Sequence, residues 1–218
     1  MADHEAVHVG AVHVVDDDEA VRQSLEFLLD SAGIPVCAYD SAAAFLRVAG
    51  TLRDGCVLTD VRMPEIDGLA LQRALLDQGI RLPVIVMTGH GDVPVAVQAL
   101  KAGAADFIEK PFDDEALLAA VRAALEAGRR LREREAEVEG IAGRLAGLTP
   151  RERQVLDRLV AGMPNKTIAH ELGASPRTVE VHRARVMEKM GARSLSELVR
   201  MALSVAPEAP PLPPPAPR

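Results

Sequence analysis

The sequence predicts an α/β domain built on a doubly wound, five-stranded parallel sheet, followed by a smaller all-α domain. Short apolar runs alternate five times with longer helical patterns in the first half, which is typical of (βα)5 folds. From Thr149 onward the pattern is helical throughout. The charge also changes, because residues 1–127 carry 9 basic and 21 acidic side chains whereas residues 148–218 carry 11 and 7. This pattern suggests an acidic part that handles cations, joined to a part that could meet a polyanion. The alternative, that the charges simply solvate the surface, fits the rear half almost equally well.

The five strands of the first domain, residues 1–127, are predicted from runs rich in Val, Ile and Leu, as in buried parallel strands. The predicted strands are residues 7–15, 35–39, 56–59, 83–88 and 106–109. The predicted helices are residues 18–32, 41–48, 68–78, 93–102 and a segment from 113 onward. Ser41 is an expected helix N-cap.

The rest of the chain divides into three predicted segments. Residues 128–147 form a charged helical linker, in which Leu131, Val138 and Leu145 follow a seven-residue period that could pair weakly with a second copy. Residues 148–204 hold four short helices joined by tight turns, a helix-turn-helix arrangement. Residues 205–218 contain 7 of the chain's 15 prolines, so we expect a disordered or polyproline II tail.

Composition excludes several classes of function. Aromatic residues make up only 2% of the chain, which disfavours the stacking platforms of single-strand binders. The cysteines, Cys37 and Cys56, are too few for a disulfide framework or a structural zinc site, and we expect both to be buried thiols. The histidines show no HExxH spacing, which disfavours a zinc hydrolase. The chain has neither a membrane-length apolar run nor a signal-peptide pattern, so we expect a cytoplasmic protein without a membrane partner.

Chemically suggestive side chains follow the predicted strands at their carboxyl ends. Asp16 and Asp17 follow the first strand, Asp60 the third, Thr88 ends the fourth and Lys110 follows the fifth. Because these ends meet at one edge of a doubly wound sheet, the side chains should share one crevice. Clustered carboxylates favour Mg²⁺, which prefers oxygen ligands. The set predicts phosphoryl transfer to Asp60, with Asp16 and Asp17 holding the metal and Lys110 and Thr88 stabilising phosphate oxygens.

Four motifs carry a family resemblance: VVDDDEA, VLTDVRMPEIDG, VMTGHGD and DFIEKPF. Because they occur in this order and in this strand context, residues 1–127 resemble a response-regulator receiver domain, a flavodoxin-like or CheY-like fold. The resemblance implies that the backbone carbonyl of Arg62 completes the metal shell and that Phe107 acts with Thr88 as the switch. It also implies a cis bond from Lys110 to Pro111.

Two neighbouring residues lie outside this pattern. Asp18 is a third acid next to the family pair, and we assign it to solvent or to the cap of the first helix. His90 could influence dephosphorylation by lining a water path, but an exposed loop histidine is the preferred interpretation.

The third helix of the rear half, residues 176–190, has two distinct faces. With Val179 directed inward and about 100° per residue, Val186 and Met190 lie within about 20° of it and form a core stripe. The opposite side carries side chains that could read base edges in a major groove. These are Arg177, Glu180, Val181, Ala184 and Arg185. The residues assigned to phosphates are Lys166, Thr178, Arg183 and Lys189.

The rear segments LTPRERQVL and GMPNKTIAHELGASPRTVEVHRARVMEKMGARSLSELVRMAL resemble the LuxR type of helix-turn-helix. The receiver domain and the helix-turn-helix domain together resemble the NarL/FixJ family of two-component response regulators. Within it, TGHGDVPVAV, PNKTIA and SPRTVEVHR are most similar to the FixJ branch. The resemblance implies a transcriptional regulator that dimerises when Asp60 is phosphorylated, with activation as the expected direction of regulation. The implied partners are a sensor histidine kinase, a pseudo-palindromic duplex DNA operator and RNA polymerase.

Two rival functions remain open. A magnesium-dependent phosphohydrolase of the haloacid dehalogenase type also forms an aspartyl phosphate, but that family has its nucleophile on the first strand, whereas Asp60 follows the third. Alternatively, the receiver signals through protein contact and its rear helices dock a partner. We expect a protein that is not an enzyme and shows only slow self-dephosphorylation.

Overall fold

The computed structural model of the protein describes residues 10–89 and 93–205. The chain divides into two compact units, with the division after Arg132. The first part of the first predicted strand, His90 and residues 206–218 of the predicted tail lie outside the described residues. Val205, predicted as the first residue of the tail, instead ends the last helix. Within the described residues, no helix combines the length and the apolar character that a membrane span requires.

The first unit contains the predicted parallel sheet, with strands in the order β2-β1-β3-β4-β5. In chain order the strands are β1 (Val12–Val15), β2 (Val36–Tyr39), β3 (Cys56–Asp60), β4 (Val84–Thr88) and β5 (Asp106–Glu109). The helices that follow them are α1 (Glu19–Ser31), α2 (Ala42–Ala49), α3 (Gly68–Asp77), α4 (Val93–Lys101) and α5 (Asp114–Ala146). This confirms the doubly wound (βα)5 fold, whose strand order is that of flavodoxin-like domains.

Two apolar clusters hold helices against opposite faces of this sheet. On one face, Phe45 of α2 and Leu71 of α3 pack with Val57 of β3. On the other, Leu25 of α1 and Leu117 of α5 pack with neighbouring sheet residues. Because alternate side chains along a strand point to opposite faces, nearly continuous apolar strands are needed to serve both clusters.

Short polar side chains start the helices of the first unit. The Asp18 carboxylate accepts a hydrogen bond from the backbone N–H of Ala20, which confirms its assignment to the first-helix cap. Ser41 caps α2 in the same way, as predicted. Such caps satisfy backbone donors that have no partner within the helix.

The prediction that both cysteines are buried is wrong for Cys37. Cys56 lies on the central strand β3 and is buried, and burial raises the pKa of its thiol to about 12. Cys37 is exposed because its strand, β2, is at the edge of the sheet and has a neighbouring strand on one side only. An apolar sequence context does not distinguish edge strands from central ones.

Helix α5 continues without interruption through the predicted linker. Its Gly128 is buried against Pro83 and Gly55, so the helix backbone approaches the loops at the amino end of the sheet closely. Arg132 forms an ion pair with Asp54 at the same end. Pairing of the seven-residue stripe with a second copy stays a prediction.

The second unit contains the predicted bundle of short helices around its own core. After α5 come α6 (Pro150–Val160), α7 (Asn165–Glu171), α8 (Pro176–Met190) and α9 (Leu195–Val205). The core combines Ile141 of α5, Leu156 of α6, Ile168 of α7 and Leu198 of α9 with the buried stripe of α8. Thr149 caps α6 through a capping box with Glu152, which fixes the start of the bundle.

Candidate functional site

A compact charged cluster lies at the carboxyl edge of the sheet. The ammonium of Lys110 donates hydrogen bonds to Asp16 Oδ2 at 2.8 Å and to Asp60 Oδ1 at 2.5 Å. Three side chains at the ends of three different strands therefore meet at one point, as predicted from the sequence.

Backbone groups fix the two carboxylates of this cluster. The Asp16 side chain is buried, and its Oδ1 accepts a hydrogen bond from the backbone N–H of Asp18 at 3.0 Å. Asp60 Oδ2 accepts one from the backbone N–H of Arg62 at 2.5 Å. Asp17, by contrast, is exposed. The Asp60 carboxylate is thus oriented by a cation on one oxygen and an amide on the other.

The pKa of Lys110 reflects two opposing effects. Partial burial acts to lower it, but hydrogen bonds to Asp16 and Asp60, with their negative charges, outweigh burial and raise the pKa of the ammonium above its usual value. Lys110 is therefore a permanent positive charge beside Asp60. It is placed to neutralise further negative charge that arrives there.

The donor set of the cluster fits Mg²⁺. Among the described residues, no three or more His, Cys, Asp or Glu side chains form a group that could hold a metal ion by themselves. Mg²⁺ usually keeps several waters and takes only one or two carboxylates, so a complete protein cage is not needed. Asp16 and Asp60 share a single ammonium, which leaves a net negative charge. Asp17, predicted as a metal ligand, is exposed, and the structure does not bring it into a three-carboxylate group with Asp16 and Asp60. The carboxylate oxygens of Asp16 and Asp60 meet the preference of Mg²⁺ for oxygen ligands. That the Arg62 carbonyl joins them stays a prediction.

The two expected switch residues occupy different environments. Thr88 ends β4 and is buried, and its carbonyl accepts a hydrogen bond from the backbone N–H of Lys110 at 2.7 Å. Phe107 on β5 is 39% exposed, and its part in a switch stays a prediction. The bond between Lys110 and Pro111 is cis, as the resemblance implied.

Sequence reasoning missed two supports of the cluster. The guanidinium of Arg22 donates a hydrogen bond to the backbone carbonyl of Asp16 at 2.7 Å. Gly68, the first residue of α3, is packed so closely that an added Cβ atom would collide with the backbone carbonyl of Asp60. The glycine that closes the phrase MPEIDG was a visible signal for this close approach.

In the second unit, the exposed face of α8 carries the predicted base-reading residues. Val179, Val186 and Met190 are buried, as the helical periodicity predicted. Val181 is 47% exposed although it is apolar, and it lies among exposed charged side chains. The exposed members of this face are Arg177, Glu180, Val181, Ala184 and Arg185. A mixed apolar and charged face of this kind suits a major groove.

The side chains assigned to phosphates are in unequal situations. Lys166 on α7 and Thr178 on α8 are exposed, whereas Arg183 is half-buried. Lys189 lies at the other end of α8, and its ammonium donates a hydrogen bond to Glu152 Oε2 at 2.7 Å.

Comparison with known proteins agrees with both parts of the chain. The model of the response regulator receiver domain matches residues 12–122. The model of bacterial regulatory proteins of the luxR family matches residues 146–202. Receiver domains typically bind Mg²⁺ at the phosphorylation site and imply a histidine kinase partner, and the luxR-family domain implies binding to DNA.

Similar proteins match this chain over nearly their whole length. The transcriptional regulatory protein FixJ of Azorhizobium caulinodans is 61% identical over 193 residues, covering 88% of this chain and 91% of that protein. FixJ of Bradyrhizobium diazoefficiens is 53% identical over 89% of this chain and 95% of that protein.

Solved structures lead to the same family. The response regulator StyR has a TM-score of 0.78 at 41% identity, covering 88% of this chain and 98% of that one. Full-length FixJ from B. japonicum has a TM-score of 0.57 at 52% identity, covering 90% and 97%. The chain therefore belongs to the FixJ-like response regulators, transcriptional regulators that combine a receiver domain with a LuxR-type DNA-binding domain.

Proposed function

We propose that Asp60 is the phosphoacceptor and that its phosphorylation converts the chain into a DNA-binding dimer. The observation that carries this proposal is the Asp60 carboxylate at the carboxyl edge of the sheet, held by Lys110 and by the Arg62 amide. A carboxylate oriented in this way is a ready nucleophile for phosphorus.

In the transfer step, an Asp60 carboxylate oxygen attacks the phosphorus of a phosphohistidine on the kinase. The new O–P bond forms an acyl phosphate, while the P–N bond breaks and its electron pair returns to the imidazole. Lys110 stabilises the charge on the phosphate oxygens. Asp16, Asp17, Asp60 and the Arg62 carbonyl would hold Mg²⁺, which when bound neutralises part of the phosphoryl charge.

Phosphorylation adds about −1.5 to −2 charges to a crevice that is already acidic. The Thr88 hydroxyl moves towards the new phosphate to donate a hydrogen bond, and Phe107 moves with it. This remodels the face formed by α4 and β5, where Val97, Leu100 and Phe107 are exposed apolar side chains. Their burial between two copies favours dimerisation.

In the dimer, two copies of α8 enter successive major grooves of a pseudo-palindromic operator. Arg177 or Arg185 bonds guanine, Glu180 accepts from a cytosine amine, and Val181 or Ala184 contacts a thymine methyl group. Phosphates are contacted by Lys166, Thr178 and Arg183. The bound dimer recruits RNA polymerase, and the protein acts in the cytoplasm.

The first test is phosphorylation of the full chain by acetyl phosphate with Mg²⁺. We expect a mass increase of one phosphoryl group, located at Asp60 by peptide mass spectrometry and abolished in Asp60→Asn. Asp18→Asn is the matched control, because the Asp18 side chain caps α1, a role that asparagine can also fill. A phosphoryl group on another residue, or equal labelling of Asp60→Asn, would refute the proposal.

The second test connects phosphorylation with assembly. Light scattering should show a dimer for the phosphorylated chain and a smaller species for Asp60→Asn under the same conditions. Genome-wide DNA capture with both proteins should recover pseudo-palindromic sites only with the first. Identical mass and identical captured DNA for the two proteins would contradict a phosphorylation switch.

A further inference from the structure

Lys189 lies in the last turn of α8 and connects this helix with the start of α6. Its ammonium donates hydrogen bonds to Glu152 Oε2 at 2.7 Å and to the backbone carbonyl of Gly147 at 3.4 Å. Gly147 belongs to the short turn between α5 and α6. One side chain therefore joins the end of the recognition helix to the point where the first helix of the bundle begins.

Glu152, the partner of Lys189, is held by further hydrogen bonds. It is buried, and the Oε2 atom that Lys189 contacts also accepts a hydrogen bond from the backbone N–H of Thr149 at 2.8 Å. The Thr149 hydroxyl in turn accepts one from the backbone N–H of Glu152 at 3.3 Å. The Lys189 bond, the largest cause, and the Thr149 bonds lower the pKa of Glu152 to about 2. A carboxylate this buried strongly prefers a paired cation.

Lys189 lies beside the base-reading face of α8, with Arg185 as its neighbour on that face, and not at the middle of it. At about 100° per residue, Lys189 lies roughly 110° from the middle of the face that contains Val181 and Ala184. It is also about 12 Å farther along the helix than Val181. Helix-turn-helix proteins read bases mainly with the N-terminal residues of the recognition helix. The positive charge of Lys189 is also stabilised near the C-terminus of α8, where the helix dipole is negative.

We propose that Lys189 is a positioning residue, which holds the recognition helix in register with α6 through Glu152, and that it does not contact DNA phosphate. This revises the assignment made from the sequence, and it rests on the proposed function only in taking the α8 face as the reader. Bidentate contacts to bases require close alignment, so a small shift of α8 weakens specific binding more than non-specific binding.

The salt dependence of DNA binding distinguishes a lysine that contacts DNA phosphate from one that only positions α8. Each phosphate contact that is lost reduces the slope of log affinity against log salt by about 1. The probes are a random-sequence duplex and the tightest duplex that the unsubstituted full chain selects from a random pool. Lys166→Gln is the matched control, because Lys166 is exposed and assigned to phosphate, and it should lower the slope by about 1 on both duplexes.

For Lys189→Gln we expect an unchanged slope on both duplexes, with binding to the selected duplex about five-fold weaker or more and little change on the random one. Lys189→Arg should restore binding, because a guanidinium can also pair with Glu152. A slope lowered by about 1, with equal weakening on both duplexes, would overturn the proposal.

The variant Glu152→Gln should change DNA affinity in opposite directions, depending on whether Lys189 positions α8 or contacts DNA phosphate. If Lys189 positions α8, loss of the Glu152 charge weakens binding to the selected duplex. If Lys189 were a phosphate ligand, the same variant would release it and strengthen binding to both duplexes. Far-UV circular dichroism at the assay temperature confirms that the variant is folded.

A measurement without DNA keeps this inference separate from the proposed function. A double-mutant cycle of Lys189→Gln and Glu152→Gln in thermal unfolding should show that the two substitutions are not additive. If the protein bound no DNA but the cycle showed coupling, the proposed DNA-reading role of α8 would be wrong, whereas the contact between Lys189 and Glu152 would be confirmed. Additive effects would refute the positioning role whatever the DNA result.

Discussion

Replacing Gln72 by methionine should stabilise the first unit, although it removes a hydrogen bond. Gln72 lies on α3, is 1% exposed, and has apolar neighbours on its helix. Its Nε2 donates to the backbone carbonyl of Ala99 on α4 at 3.3 Å. Its Oε1 is buried and has no hydrogen-bond partner among the described residues.

The expected change in stability follows from the hydrogen bond of Nε2 and the missing partner of Oε1 in the Gln72 amide. A long hydrogen bond such as that to Ala99 contributes about 0.5 to 1.5 kcal/mol, whereas a buried acceptor without a partner costs about 1 to 3 kcal/mol. The Ala99 carbonyl keeps a second donor, the backbone N–H of Ala104 at 3.0 Å, so methionine leaves no unpaired group behind. We therefore expect the free energy of unfolding to rise by about 1 kcal/mol.

The assay uses the only tyrosine of the chain. Tyr39 ends β2 and the sequence has no tryptophan, so tyrosine fluorescence follows unfolding of the first unit alone. For a unit of this size, about 1 kcal/mol corresponds to a rise in Tm of about 3 to 5 °C. Leu75→Ala is the control for core damage and should lower stability by about 2 to 5 kcal/mol. A lower Tm in Gln72→Met would refute the reasoning, because it would mean that Oε1 has a partner.

Three further perturbations test other parts of the structure. Gly68→Ala should slow phosphorylation by acetyl phosphate while Asp60 is still present, because its Cβ atom displaces the Asp60 carbonyl; an unchanged rate in quenched mass spectrometry would count against this close packing. Burial lowers the pKa of His13 below 6.5, with a backbone contact at Asp54 opposing it, so below pH 6.5 the unfolded chain binds more protons than the folded one. In urea unfolding, the free energy of unfolding of the first unit should therefore decrease as the pH is lowered below 6.5, and it should decrease less steeply in His13→Phe. An equal pH dependence in the unsubstituted protein and in His13→Phe would contradict this. Finally, Ellman's reagent should modify exposed Cys37 in the folded protein and buried Cys56 only after unfolding, and a folded Cys37→Ser variant that still reacts would show that Cys56 is accessible.

Much of the site could be predicted because its residues stand at strand ends. Asp16, Asp60 and Lys110 each follow an apolar run, and in a parallel sheet the carboxyl ends of neighbouring strands meet. Their convergence on one ammonium follows from topology, without knowledge of any side-chain contact. Likewise, the period of α8 was enough to predict that Val179, Val186 and Met190 are buried.

The features that the sequence did not reveal depend on how helices and strands are arranged next to one another in the fold. Cys37 and Cys56 have similar apolar surroundings in the sequence, but only the strand order shows that one lies on an edge strand. Lys189 is one of several basic residues on or near α8, and nothing in its spacing reveals that Glu152, 37 residues away, lies beside it.

The sequence by itself determined the order and type of the elements, the two domains and the residues at the strand ends, because periodicity, caps and turn residues act over a few positions. Only the tertiary structure decided the partners of single polar groups: Lys110 lies between two carboxylates, Gln72 has one atom without a partner in the described part of the chain, and Lys189 is held by a buried glutamate. These partners are far apart along the chain. Packing brings them together, and the cost of leaving a buried charge without a partner makes such contacts specific.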